Sequence, residues 1–161
     1  MIYKIKKGRH KSRYIPKICW KKEFTFNIQF LSPPQYISRY SHNQEDINKI
    51  YGFSDSWNHH NHSLRIGWYY DRGNDINHLV IYSYVDKVVI IKSLGTFDYL
   101  DKIKIGIEVN KGYYIIYRYD TGRIELLIRK SSWWGPRYML FPYFGGQEKA
   151  NKNYLIKITD G

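Results

Sequence analysis

Apolar and polar residues alternate with a period of two along most of this chain. In residues 24–30 (FTFNIQF) every second side chain is large and apolar, and residues 64–70 (LRIGWYY), 103–109 (IKIGIEV) and 124–128 (IELLI) repeat the pattern. Alternation of this kind is typical of strands that bury one face, as antiparallel sheets do. In residues 64–70 it predicts Leu64, Ile66 and Trp68 in the core, with Arg65 and Tyr69 on the opposite face.

Short turn signals separate the alternating segments, at residues 71–75 (DRGND), 110–112 (NKG) and 120–122 (DTG). The predicted strands are 13–19, 23–30, 48–53, 64–70, 78–85, 88–94, 103–109, 112–119, 123–129, 137–143 and 153–159. The best helical candidate is a turn or two at Gln44–Ile50. About eleven short strands without a long helix predict an all-β fold, a two-sheet antiparallel jelly-roll sandwich.

The positive charge is concentrated at the N-terminus. Nine of the 26 Lys and Arg residues lie in residues 1–22, ahead of the first carboxylate, Glu23, so that the rest of the chain carries only +3 of the net +12. We therefore predict a basic N-terminal arm or edge strand at 1–22 and a jelly-roll domain at 23–161. An arm of this kind is expected to dock on an acidic partner. The candidate docking residues are Lys4, Lys6, Lys7, Arg9, Lys11 and Arg13.

The cysteine count and the apolar segments indicate the compartment in which the chain folds. The single cysteine, Cys19, excludes an intramolecular disulfide and fits folding in a reducing compartment. No apolar stretch follows the charged N-terminus and no run of 18 apolar residues occurs, so the sequence predicts neither a signal peptide nor a membrane span. No nucleotide-binding fingerprint is present, and no cofactor is expected.

A candidate glycan-binding face can be assembled from the predicted outer strand positions and an aromatic loop. Gly67, between Arg65 and Tyr69, leaves room for a neighbouring ring or a ligand. Two adjacent tryptophans cannot both face inward from a strand, so one of them is expected on the surface, where it could stack on a sugar. The candidates are His60, Arg65, Tyr69, Tyr82, Trp133 and Trp134. The alternative is that the strand residues are cross-strand pairs that stabilise the sheet.

Three of the six histidines fall within residues 59–62, next to Asp55. Imidazole and carboxylate groups are transition-metal ligands, and His60, His62 and Asp55 are weak candidates for such a site. The spacing is not that of a structural zinc site. A polar loop that hydrogen-bonds the rim of the sandwich is the preferred interpretation, and no metal is expected.

Hydrolytic machinery is not evident. No strand carries the paired carboxylates that glycosidases use, and no nucleophile elbow or phosphate loop occurs. The residues do include the types that β-elimination on a uronate polymer requires, with Tyr or His to move protons and Arg to neutralise the carboxylate. His60, Arg65, Tyr69 and Tyr82 are of those types.

The strand pattern resembles the concanavalin-type sandwiches, a fold that lectins, carbohydrate-binding modules, glucanases and alginate lyases share. More narrowly, residues 48–55 (NKIYGFSD), His59-His60 with residues 63–68 (SLRIGW), and residues 142–146 (PYFGG) resemble segments of small uncharacterised proteins of bacteriophages and gut-type bacteria. That resemblance spans about residues 20–159. It implies a fold and a setting but no established activity.

The function that we predict from the sequence is a non-enzymatic structural or accessory protein of a phage virion, assembled in the host cytoplasm. It would be a capsid decoration, fibre-base or tail component. Its basic arm would contact other virion proteins, and we expect a homo-oligomer that displays a face for host glycans. The alternative is a carbohydrate-binding module or a polysaccharide lyase acting on an anionic glycan. Nucleic acid is disfavoured as a partner because the aromatic-rich body is nearly neutral.

Overall fold

The computed structural model describes all 161 residues and is built almost entirely of strands. In chain order the strands are β1 (Ile2–Ile5), β2 (Ile18–Cys19), β3 (Glu23–Phe30), β4 (Asn48–Ser54), β5 (His62–Asp71), β6 (Ile76–Val85), β7 (Val88–Phe97), β8 (Ile103–Val109), β9 (Tyr113–Arg118), β10 (Arg123–Ile128), β11 (Arg137–Leu140) and β12 (Tyr154–Asp160). The one helical element is a 3-10 turn, Ser41–Asn43. No helix of the chain is long and apolar enough to cross a membrane.

The strands form two six-stranded sheets that pack face to face. Sheet A has the order β1-β12-β3-β8-β9-β10, and sheet B has the order β2-β11-β4-β5-β6-β7. Every paired strand in both sheets is antiparallel. The prediction of an all-β, two-sheet antiparallel sandwich is confirmed.

The core lies between the sheets and contains 31 apolar and aromatic residues. Leu64, Ile66 and Trp68 of β5 are fully buried, as their alternation predicts. The indole Nε1 of Trp68 donates a hydrogen bond to the carbonyl of Pro34 at 3.3 Å, which satisfies its polar atom inside the core. Since strand side chains alternate, Arg65 has to lie on the outer face of sheet B.

Two predicted elements differ from the structure. Of the strand predicted at 13–19 only Ile18–Cys19 forms, since Pro16 has no N–H to donate to a ladder. The helical turn predicted at Gln44–Ile50 is absent, and the 3-10 turn lies earlier. The backbone N–H and carbonyl of Lys49 instead exchange hydrogen bonds of 2.8 and 2.9 Å with those of Tyr143, which holds this segment extended.

The first residues of the chain are part of sheet A. Strand β1 is its edge strand and pairs with β12. Ile5 is fully buried in the core, while Lys4 on the opposite face is exposed. Farther along, the N–H of Gly8 donates to the carbonyl of Ala150 at 2.8 Å, and Lys11 forms a β-bridge with Tyr143. Residues 1–12 therefore lie against the sandwich.

We expect Ile5→Ala to lower the free energy of unfolding by about 2–4 kcal/mol, because it leaves a cavity in the shared core. Lys4→Ala, on the exposed face of the same strand, is the matched control and should change it by less than about 0.5 kcal/mol. Denaturant unfolding of both variants measures the difference. Equal, small effects would mean that the N-terminal segment detaches from the domain in solution.

Candidate functional site

The outer face of sheet B carries a groove of about 560 Å³. Its polar lining consists of three cationic side chains, two histidines and four tyrosines, and no Asp or Glu lines it. These residues are Lys11, Lys49, Arg65, His59, His60, Tyr14, Tyr82, Tyr84 and Tyr143. A concave surface with cations, imidazoles and phenols but without carboxylates is suited to an anionic ligand that carries hydroxyl groups.

The floor of the groove follows from the register of sheet B. Arg65 of β5 lies opposite Tyr82 of β6 on one side and Gly52 of β4 on the other. Paired residues of neighbouring antiparallel strands project from the same face, so Arg65 and Tyr82 stand side by side. Gly52 has no side chain, and the next residue in this row is Leu140 of β11. The backbone of β4 closes the floor on this side, since a Cβ at Gly52 would lie 2.7 Å from the Cα of Arg65.

A second row, Lys11–Tyr143–Lys49, runs from the rim of the groove, at Lys11, to its floor, at Lys49. Tyr143 is bridged to Lys11 on one side and to Lys49 on the other. Adjacent strands are about 4.8 Å apart, so the two lysine Cα atoms are separated by roughly 10 Å, with the tyrosine between them. The row brings together residues from the N-terminal segment, from β4 and from the segment after β11.

Lys49 faces Gly67 of β5, where β4 comes unusually close to its neighbour. A Cβ at Gly67 would lie 2.6 Å from the carbonyl oxygen of Asn48. A β-bulge follows, between Lys49 and Tyr51, and it allows Ile50 and Tyr51 both to be buried. The space that we expected beside Gly67 for a ring or a ligand is thus occupied by the chain itself.

Arg65 and Lys49, the two cations nearest the floor, are partly buried, and burial disfavours their charged forms. Burial lowers the pKa of Arg65 to about 10, and no carboxylate pairs with it. Burial, together with the nearby charge of Arg65, lowers the pKa of Lys49 to about 8. The Lys49 ammonium instead lies 4.5 Å from the ring centroid of Tyr82 and 3.5 Å from the carbonyl of Gly145. An anion in the groove would provide the charge partner that both side chains lack.

The proton-transferring groups lie next to these cations. Burial, and then the charge of Arg65, lower the pKa of His59 to about 4, so its imidazole is neutral at pH 7. The rings of His59 and His60 are 4.0 Å apart, and His60 is 5.0 Å from the ring of Tyr84. The hydroxyl of Tyr82 contacts that of Tyr84 at 3.4 Å, and burial raises the pKa of Tyr82, which keeps its phenol protonated. The groove thus contains a neutral base and a protonated acid.

A buried ionic cluster fixes the loop that carries the histidines. Asp55, the first residue of that loop, is fully buried and accepts hydrogen bonds from Arg129 Nε at 2.6 Å, Arg137 Nε at 2.9 Å and the Tyr114 hydroxyl at 2.7 Å. Its backbone carbonyl accepts a further bond from Ser131 Oγ at 2.6 Å. These contacts hold the start of residues 55–61 and so limit where His59 and His60 can lie.

Three of the six residues predicted for a glycan face, His60, Arg65 and Tyr82, come together in the groove. Tyr69 shares the outer face of β5 but does not line the groove. Its ring stacks on His78, with centroids 4.6 Å apart and planes 6° from parallel. For Tyr69 the alternative interpretation, a cross-strand pair that stabilises the sheet, describes the geometry.

The two tryptophans predicted for the same face also lie outside the groove. Trp133 is half-buried and packs edge-on against Trp57 at 5.1 Å. Trp134 is 47% exposed and lies near two cations, 4.6 Å from Arg129 and 4.8 Å from Lys22. One of the two is therefore on the surface, but neither contacts the residues around Arg65.

The candidate metal ligands do not converge. Asp55 is occupied by its two arginines and a tyrosine, His62 Nε2 lies 3.4 Å from Asp86, and His60 faces the groove. No group of three or more His, Cys, Asp or Glu side chains is placed to hold a metal ion. The role of Asp55 in this fold is to anchor the histidine loop.

Sequence reasoning missed Lys49, Tyr143 and His59 as groove residues. Lys49 and Tyr143 meet through an isolated bridge between distant segments, and nothing local in the sequence signals that pairing. His59 did carry a signal, since it belongs to the histidine cluster of residues 59–62. The bulge in β4 hid Lys49 further, because it breaks the alternation that would have placed it on the outer face.

We expect Asp55→Asn to lower the free energy of unfolding by about 3–5 kcal/mol, because it leaves two buried guanidinium groups without a counter-charge. Arg137→Met leaves Asp55 paired with Arg129, so it should cost less than about 2 kcal/mol. Denaturant unfolding at pH 7 compares the two variants. Equal losses would contradict the view that the carboxylate neutralises both arginines.

Lys49→Met should raise the free energy of unfolding at pH 7 by about 1 kcal/mol, since it removes a charge that the fold keeps partly desolvated. In the unfolded chain Lys49 regains its ordinary pKa of 10.5, so between pH 8 and 10 the unfolded state binds more protons and the wild type gains stability. The difference in the free energy of unfolding between Lys49→Met and the wild type should therefore shrink by about 1 kcal/mol from pH 7 to 9. A difference independent of pH would show that Lys49 titrates normally.

Comparison with known proteins gives a fold and no family. No protein-family model matches the sequence, and no curated protein matches it. Seven chains of solved structures match the fold. One of them is the alginate lyase AlyC3, with a TM-score of 0.62 and 11% sequence identity over 99% of this chain and 74% of the lyase chain. At that identity the likeness establishes the jelly-roll sandwich alone.

Proposed function

We propose that the groove binds an anionic, uronate-containing polysaccharide such as alginate and cleaves it by β-elimination. The observation that carries the proposal is that Arg65 and Lys49 line a groove without a carboxylate partner, beside a neutral histidine, His59, and a protonated tyrosine, Tyr82. The shared fold with an alginate lyase supports the choice of substrate class. Of the functions predicted from the sequence, this is the alternative rather than the first choice.

Recognition of the uronate carboxylate falls to the two cations on the floor. Arg65 can donate two parallel hydrogen bonds to a carboxylate, and Lys49 adds a compact positive charge. Because both are partly desolvated, they interact with an anion more strongly than exposed lysines do. The rings of Tyr82 and Tyr143 offer apolar surface to the sugar and hydroxyl groups to its oxygens.

β-Elimination needs the same neutralised carboxylate. A base removes the proton on C5, which is acidic because the adjacent carboxylate can take up negative charge. The electron pair forms a C4=C5 double bond, the C4–O4 bond breaks, and O4 leaves with a proton from an acid. The step is balanced without water, metal or a redox cofactor. Cations that stabilise the charge developing on the carboxylate lower its barrier.

His59 and Tyr82 are the residues that fit the two proton transfers. His59 is neutral at neutral pH and can accept the C5 proton. Tyr82 stays protonated and can donate to the departing O4, with Tyr84 in contact with its hydroxyl. Both line the same groove as Arg65, and Tyr82 is its cross-strand neighbour.

Hydrolysis fits the groove poorly. Glycosidases use a pair of carboxylates on either side of the glycosidic bond, and no Asp or Glu lines this groove. Asp46 lies just beyond its rim, where it accepts a hydrogen bond from the backbone of Gln147 at 3.4 Å. A single carboxylate at the rim does not provide the pair.

The virion hypothesis, with its acidic docking partner, homo-oligomer and host-cytoplasm assembly, stays a prediction. The exposed side chains of Lys4, Lys6 and Lys7 are free of ion pairs and could still contact another protein. Its test is whether the chain is found in phage particles. A virion protein that cleaves surface polysaccharide would satisfy the predicted setting but not the prediction of a non-enzymatic role.

The activity is tested by mixing the full chain with alginate and following the ultraviolet absorbance of the unsaturated uronate product. Arg65→Ala should lower kcat/KM by about 100-fold or more, since it removes a preorganised donor to the developing charge. Tyr82→Phe should lower kcat by about 100-fold or more with little change in Kd, because it removes only the proton donor.

Tyr69→Phe is the matched control for the tyrosine variant, since Tyr69 lies on the same outer face of sheet B but outside the groove, and it should leave the rate unchanged. Binding of alginate without unsaturated product would show a carbohydrate-binding protein rather than a lyase. Absence of binding would overturn the proposal as a whole.

A further inference from the structure

A second basic pocket adjoins the groove and shares two of its lining residues, Lys11 and Tyr143. It has a volume of about 290 Å³ and is lined by residues 8–11, Tyr143 and Lys149. Because Lys11 and Tyr143 line both cavities, the two are joined across the Lys11–Tyr143 bridge. We infer that this pocket is a second subsite, which binds a further acidic sugar residue of the same polysaccharide chain, beyond the sugars that occupy the groove. The inference rests on the proposed function.

The charge of the pocket is not neutralised from within the protein. Arg9, Lys11 and Lys149 form no ion pair, and their side chains are exposed. The carboxylate next in sequence, Glu148, is turned to another loop, where it accepts hydrogen bonds from the backbone of Arg39 at 2.7 Å and Tyr40 at 3.0 Å. Three cations around one cavity without a carboxylate select for negative charge.

The backbone around the pocket is held in place by the sandwich. The N–H of Gly8 donates to the carbonyl of Ala150, and the N–H of Ala150 donates to that of Arg9 at 3.0 Å. The His10 ring stacks on Tyr143 at 5.2 Å, and its Nδ1–H donates to the carbonyl of Phe144 at 2.9 Å. A pocket built on ordered backbone loses less entropy on binding than one on a free arm would.

The positions of the lining residues define a path for the polymer across the two cavities. From Arg65 and Lys49 on the floor, the chain would pass Tyr143 and Lys11 and reach Arg9 and Lys149. Each step places a cation or a ring against the polymer, which matches a ligand with one carboxylate per sugar. A small anion would fill only one cavity, so a gain of affinity with chain length is the property that distinguishes the second subsite.

The test measures Kd by titration calorimetry for alginate oligosaccharides of increasing length, from two units to six, in the full chain carrying Tyr82→Phe so that the probe is not consumed. Long oligosaccharides should bind about tenfold more tightly than the shortest. Arg9→Ala with Lys149→Ala should remove most of this gain, a loss of about three- to tenfold, and leave the affinity for the shortest probe unchanged. Retained binding of the shortest probe also shows that the variant is folded.

Arg72→Ala with Lys111→Ala is the matched control, because it removes two exposed charges that line neither cavity. An equal loss in this control would overturn the subsite and leave only long-range attraction. The subsite is also overturned if affinity does not depend on length, or if Arg9→Ala with Lys149→Ala keeps the full gain. Binding of no probe, short or long, by the parent protein would instead mean that the proposed function has failed.

Single variants Arg9→Gln and Lys149→Gln guard against a folding defect in the double variant. Each should lose part of the length-dependent gain and less than the double variant does, since one of the two cations still faces the bound anion. Two singles without effect, beside a double variant that also loses the shortest probe, would mark a folding defect and overturn the subsite.

Discussion

The buried carboxylate of Asp55 is the interaction on which the candidate site depends. It joins Tyr114 of β9 and Arg129 after β10, on the sheet A side, to Arg137 of β11 in sheet B. One carboxylate between two guanidinium groups leaves one buried positive charge without a counter-charge. An apolar core would not bury such a charge. Such a cluster contributes little net stability over a hydrophobic replacement, but it permits few alternative arrangements. The cluster fixes the start of the loop that begins at Asp55, and this loop brings His59 to the groove.

The inward-facing arginines of this protein differ in whether a carboxylate neutralises them. Arg118, Arg129 and Arg137 are buried and each is paired with a carboxylate. The fold therefore has the means to neutralise an inward-facing arginine, yet Arg65 in the groove has no such partner. The lowered pKa values of Arg65 and Lys49 show that the fold holds these charges against a desolvation cost. Uncompensated charge at one place, in a chain that compensates it elsewhere, is typical of a binding site.

Sequence could predict the fold and half of the site because both depend on local alternation. The pattern of residues 64–70 alone places Leu64, Ile66 and Trp68 inside and Arg65 outside, as the structure shows. It could not predict Lys49, since a bulge interrupts the alternation of β4, nor Tyr143, since its position depends on bridges to two distant segments. Charge counting could not decide between a projecting arm and an edge strand, because a basic N-terminus has the same composition in both.

The N-terminal segment connects the charge of the sequence to the chemistry of the groove. Ile5 anchors it in the core, so Arg9 and Lys11 are delivered to the groove rim rather than left on a mobile leader. The same residues were candidates for docking on an acidic protein, and they cannot neutralise a polysaccharide and a protein partner at once. The two hypotheses therefore compete for one set of charges in the pocket, whereas Lys4 and Lys6 on the open edge serve only the second. A protein partner and a glycan could be bound together only if the partner is held by that edge.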